Sequence, residues 1–143
     1  MATRAQMTQV DAAPNRDDRP RIGWVMSGLV IAFLLMDATM KLLALPVVLE
    51  AGAPLGFAGA DMARGLGTVL LICTLLYTMP RTAVLGAILL TGYLGGAVAT
   101  HLRVGSPLFT HTLFGVYLGV MLWGGLYLRD SRLRALLPLR VGA

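Results

Sequence analysis

Four apolar stretches, each about 17 to 24 residues long and separated by prolines, glycines and charged residues, limit what this chain can become more than any other feature it has. A helix rises 1.5 Å per residue and the hydrocarbon core of a bilayer is about 30 Å thick, so each stretch is long enough, or nearly so, to cross it. Ile22 to Leu45 is the first, closed by Pro46. Residues 61–78 form the second, the shortest, with Asp61 placed to cap its start and Pro80 and Arg81 to end it. Thr82 to Thr100 is the third, and Leu108 to Leu128 the fourth, entered through Gly105, Ser106 and Pro107. The expected fold class is all-α, a four-transmembrane-helix bundle.

Composition agrees. Hydrophobic residues make up 57% of the chain and charged residues 13%, against roughly a quarter charged in soluble domains, so a water-soluble core is excluded. The arginines flank apolar segments and are not interleaved with stacking aromatics, which argues against nucleic acid. Cys73 is the single cysteine, leaving no intrachain disulfide, redox pair or cysteine zinc cage. Residues 1–21 read as a polar, disordered leader without the features of a secretory signal, and residues 129–143 as a basic tail that anchors topology.

With an even number of spans, both termini share one side. That side holds Arg4, Arg16, Arg19, Arg21, Arg81, Arg129, Arg132, Arg134 and Arg140, whereas the other keeps Lys41, Arg64 and Arg103. The positive-inside rule then makes the termini cytoplasmic. Trp24, Tyr77, Trp123 and Tyr127 fall toward the same ends of their spans, where amphipathic rings prefer the headgroup layer.

Charge inside hydrocarbon marks candidate chemistry, because it costs about 2.5 to 3.5 kcal/mol near mid-helix and persists for a reason. Asp37 lies about 22 Å along the first span, in its outer half. Lys41 follows one turn later, in the favourable acid-first order for a same-face ion pair. The pair serves either to neutralise the helix or to present a polar face to a headgroup, a quinone carbonyl or a proton. His101, Arg103 and His111 lie at the same outer end, as do Glu50 and Asp61, which are candidate lid or outer acids. The loop 46–60 has the composition of a short surface helix, with Leu55 and Phe57 among its apolar contacts. Ten residues between the two histidines match no recognised metal-ligand spacing, so no metal site is assigned; proton transfer suits them better. Gly92 and Gly96, and Gly115 and Gly119, are spaced by four and offer close helix packing within the bundle or in a homo-oligomer.

Several runs carry a resemblance. Gly-Trp-Val-Met-Ser-Gly-Leu from Gly23, Met-Asp-Ala-Thr-Met-Lys from Met36, Leu-Tyr-Thr-Met-Pro-Arg from Leu76 and Leu-Thr-Gly-Tyr-Leu-Gly-Gly-Ala-Val-Ala-Thr-His-Leu-Arg from Leu90 resemble the DoxX-like family of small bacterial membrane proteins. The resemblance continues through Pro107 to Phe109, His111 to Phe114 and Leu122 to Gly125. It implies a four-helix bundle in a bacterial inner membrane and a place in a wider group that includes subunits of quinone-linked sulfur oxidoreductases. Quinone is the cofactor it points to; the residues themselves fix none. The family pattern often carries a glutamate near Leu70, where this chain has Val69, Leu70 and Leu71.

Three functions follow as expectations. One is an accessory subunit of a quinone-linked membrane redox system, not an enzyme on its own, with a partner protein in the bilayer. Another is a transporter or channel for a small solute or protons. The last is a scaffold that packs a partner membrane protein.

Overall fold

Pro20 sets the start of the first helix. Proline is favoured in a first helical turn, and in the computed structural model, which describes residues 18–137, α1 runs Arg19–Leu42 with Arg21 paired to Asp18 at 3.6 Å. The helix therefore begins three residues before Ile22, inside the segment read as a disordered leader. Residues 1–17 and 138–143, with Arg4, Arg16 and Arg140, lie outside the described residues. At the other end Ala44 turns left-handed (φ 48°) and Pro46 holds Leu45 extended, so α1 stops at Leu42 rather than at Leu45.

A short helix, α2 (Pro46–Gly52), and a 3₁₀ turn (Ala53–Leu55) follow. Gly56, at φ 85°, reverses the chain, a conformation that glycine adopts without strain. The second span is α3 (Ala60–Thr78), and its cap differs from expectation. Gly59 occupies the N-cap with no side-chain bond, while Asp61 sits in the first turn, exposed, and pairs with Arg64 at 3.5 Å. The third span, α4 (Ala83–Arg103), closes in a Schellman motif: Ser106 N–H donates to His101 O at 3.0 Å and Gly105 N–H to Leu102 O at 3.1 Å, with Gly105 at φ 69°. The fourth opens as a π turn (Leu108–Thr112) and continues as α5 (Phe114–Arg129). A final short helix, α6 (Ser131–Leu136), is capped by Asp130, whose carboxylate accepts from the Arg132 and Leu133 amides.

All four long helices are apolar enough to span a membrane. They form an up-down ring in which α1 packs on α3 and α5, and α4 completes the ring between the same two. Each neighbour is antiparallel, as short connections require. We call the end carrying Arg19, the α3–α4 loop and Arg129 the base, and the end carrying α2 and the α4–α5 hairpin the mouth.

Close approach at each of the four interfaces depends on a glycine. A Cβ on Gly23 would lie 2.8 Å from Gly125 O, and one on Gly125 would lie 2.6 Å from Ser27 Oγ, so α1 and α5 touch backbone to backbone. Gly67 meets Ala38 O at 3.0 Å between α3 and α1, Gly86 abuts the Tyr77 backbone between α4 and α3, and Gly115 meets Leu94 O at 3.1 Å between α5 and α4. Of the four glycines singled out, Gly115 makes such a close contact with another helix of the same chain. At Gly92, Gly96 and Gly119 a Cβ would meet nothing within 4 Å, because those positions face open space rather than a neighbouring helix.

Hydrocarbon cannot hydrate polar groups, so they are satisfied within the protein. Thr39, Thr68, Thr74, Thr78, Thr91 and Thr100 each donate to the carbonyl one turn earlier. Tyr77 corrects the reading of it as an interfacial anchor. It is fully buried, its hydroxyl donates to Leu122 O at 2.8 Å and lies 3.0 Å from Ser27 Oγ, and it ties α1, α3 and α5 together near the base. Around it Leu34, Leu70, Leu90, Leu122 and Leu126 fill the core.

Candidate functional site

Toward the mouth the ring leaves a cavity of about 510 Å³. Its walls are largely apolar: Phe33 and Leu34 from α1, Leu66 from α3, Leu94 and Val98 from α4, and Phe114 and Leu118 from α5. Phe33 and Phe114 meet edge to face in its wall, with centroids 5.3 Å apart. Gly92, Gly96 and Gly115 line it too, so the missing side chains at Gly92 and Gly96 make room rather than contact.

The polar residues singled out from sequence divide into two groups. Asp37, Lys41, His101 and His111 all line this cavity, together with Tyr93, which depth counting of charges did not find because a phenol adds no formal charge. Asp37 and Lys41 form the expected i, i+4 ion pair, part-buried in the wall. Each histidine commits Nδ1 to a hydroxyl, His101 to Ser106 at 3.0 Å and His111 to Thr110 at 2.8 Å, leaving both Nε2 atoms as the nitrogens for a bound group. The rings stand 5.9 Å apart, tilted by 54°. This approach is local in origin. The Schellman turn brings Ser106 back onto His101, and the π turn, with Thr112 N–H and Leu113 N–H bonding five residues back, swings His111 toward the hairpin.

Arg103, Glu50 and Asp61 are not among the lining residues. Arg103 instead donates to Leu55 O at 3.2 Å, holding the 3₁₀ turn over the mouth, where Leu55 and Phe57 supply cavity wall. Glu50 is exposed on α2, and Asp61 pairs with Arg64 at the surface. The segment 46–57 thus covers the cavity with apolar side chains and contributes no acid. Among the described residues no group of three histidine, cysteine or acidic side chains converges to hold a metal ion.

An all-helical ring of four membrane-length helices, with Asp37, Lys41, His101 and His111 lining one cavity, defines a multi-pass integral membrane protein that contacts the lipid bilayer. A model of the DoxX-like family matches residues 25–125, which takes in part or all of every span. The chain belongs to the DoxX-like family. No curated protein and no solved structure matches it. At Leu70, near the position where the family resemblance implies a glutamate, the side chain is fully buried among apolar neighbours, so Asp37 is the carboxylate available to the cavity.

Proposed function

We propose that this protein is a quinone-binding accessory subunit of a redox system in a bacterial inner membrane, with its base cytoplasmic and its cavity in the outer half of the bilayer. The carrying observation is the amphipathic cavity: about 510 Å³, inside the roughly 300 to 1,000 Å³ range of small-molecule sites, with aromatic and aliphatic walls and one polar corner. A quinone is apolar apart from two carbonyl oxygens. The His101 and His111 Nε2 atoms and Lys41 are the donors that would hold such an oxygen, while Phe33, Phe114 and Leu94 would hold the ring and the start of its tail. Bound quinone would accept electrons from a partner; the chain's own part is to bind and orient it, with both imidazoles beside one carbonyl oxygen.

Packing below the cavity favours this reading over a transporter or channel. Leu90, Leu122 and Tyr77 are fully buried and form no part of its lining, which fits a cavity closed toward the base. A partner subunit would seat against the apolar groove between α4 and α5, where Gly95, Gly119, Val120 and Trp123 line about 430 Å³.

The test is equilibrium binding of a short-chain quinone to the full chain in nanodiscs. Saturable binding that His101→Ala/His111→Ala weakens about tenfold or more supports the proposal, given two lost hydrogen bonds. Absence of binding by the unmodified protein removes it. Proton flux through proteoliposomes that Asp37→Asn abolishes would favour conduction instead.

A further inference from the structure

At the base, remote from the mouth cavity, the guanidinium of Arg129 is held between two rings, 4.6 Å from the Trp24 centroid and 4.9 Å from that of Tyr77. Its Nη2 donates to Tyr77 O at 3.2 Å, and its Nε is buried with no acceptor in reach among the described residues. Stacking on aromatic faces fixes a guanidinium without neutralising it.

Arg129 lines a second cavity, of about 370 Å³, into which two further arginines come from separate stretches of chain: Arg81 from the α3–α4 loop and Arg132 from α6. Ser131 adds a hydroxyl. The one acid that lines it, Asp130, has its Oδ1 occupied by the Arg132 amide at 2.9 Å and the Leu133 amide at 3.4 Å, and among the described residues it pairs with none of the three arginines. Pro80, Ala83 and Leu126 make the rest of the lining apolar, and Trp24, 54% exposed, lies beside them at the depth where indoles meet headgroups.

We infer that this cavity binds the phosphodiester headgroup of an anionic phospholipid. A topology signal requires only that arginines lie on one side of the membrane. Here three of them, from three separate stretches of chain, line one cavity, with Arg129 part-buried and Arg81 and Arg132 exposed. Guanidinium forks match phosphate oxygens in geometry as well as charge. The apolar lining and the adjacent indole suit the glycerol and acyl start of a lipid, which a soluble phosphate lacks.

The full chain, purified in mild detergent, would be offered phosphatidylglycerol and phosphatidylcholine in competition and read by native mass spectrometry. The unmodified protein should retain phosphatidylglycerol preferentially. Arg81→Gln/Arg132→Gln, which leaves Arg129 and its ring contacts in place, should cut that preference about tenfold or more, since each arginine near a charged surface is worth about fivefold. Arg64→Gln, at the mouth, should leave it unchanged. Equal preference in the double variant and the unmodified protein would overturn the inference. Displacement of the lipid by millimolar inorganic phosphate, with phosphate itself retained, would assign the site to a soluble anion and overturn the lipid reading.

Discussion

The Tyr77 hydroxyl donates to the carbonyl oxygen of Leu122 at 2.8 Å, joining the end of α3 to the middle of α5. Ser27 Oγ, 3.0 Å away on α1, makes this a three-helix junction in a fully buried setting. Hydrogen bonds between membrane helices average about 0.6 kcal/mol and reach about 1.7. Tyr77→Phe should therefore lower stability by about 0.5 to 1.5 kcal/mol, measured by thermal or denaturant unfolding in detergent. A variant as stable as the parent would show that the junction contributes packing alone.

Two glycines on opposite sides of the packing divide should respond oppositely to the same substitution. Gly23→Leu places a side chain where Cβ alone would lie 2.7 Å from the Arg129 amide nitrogen, and should prevent the native bundle from forming. Gly96→Leu meets no atom within 4 Å at Cβ and should fold with near-parental stability, while occupying cavity space and weakening quinone binding about tenfold or more. Parallel measurement of folded yield and quinone affinity separates the two effects, and a Gly96→Leu protein that misfolds would contradict the structure.

Asp37 and Lys41 should be energetically coupled. Removing the lysine's partner leaves a part-buried ammonium, so Asp37→Asn should destabilise more in the presence of Lys41 than in a Lys41→Gln background. A coupling energy of about 0.5 to 2 kcal/mol in a double-mutant cycle is expected. Zero coupling would mean that both side chains reach solvent independently.

Arg103 should control the cover. Its bond to Leu55 O, beside the Gly56 reversal, is the side-chain tie seen between α4 and the 46–57 segment among the described residues. Arg103→Ala should raise amide hydrogen exchange at Gly56 and Phe57 about fivefold, as one hydrogen bond of about 1 kcal/mol is lost, while exchange in the core of α4 is unaltered. Unchanged exchange at both amides would show that the cover is held by its apolar contacts.

The four spans were legible because hydropathy over about 20 residues is a bulk property that tertiary packing does not alter. Helix ends moved by a few residues wherever local chemistry outweighed hydropathy: Pro20 drew α1 backward, and Ala44 with Pro46 ended it early. That Asp37, Lys41, His101 and His111 lie toward the same end of the bundle could be read from sequence, because depth along a span can be counted. Helix rotation cannot be counted in the same way. Lipid is as apolar as the core, so outward residues such as Val25, Ile72 and Ile88 look like inward ones such as Val30, Leu70 and Leu90. That is why spacing by four selected Gly92 and Gly96, which face open space, and passed over Gly23, Gly67, Gly86 and Gly125, which meet a neighbouring helix. Tyr77 was misread for the same reason: its depth is that of an interfacial anchor, and only its rotation places it inside.

The π turn at Leu108–Thr112 carries one residue more per turn than the α-helix that follows it. A surplus residue offsets everything before it by about 100° around the axis, so the rim of the fourth span is indexed separately from its shaft. Leu118, Leu122 and Leu126, further along the same span, are buried in the core. Insertion or deletion of a single residue in the π turn would re-aim His111 without turning α5, and would leave the base as it is. The fold thus allows divergence at one end while the other is held constant, so the side chains offered to a ligand can change without redesign of the bundle that carries them.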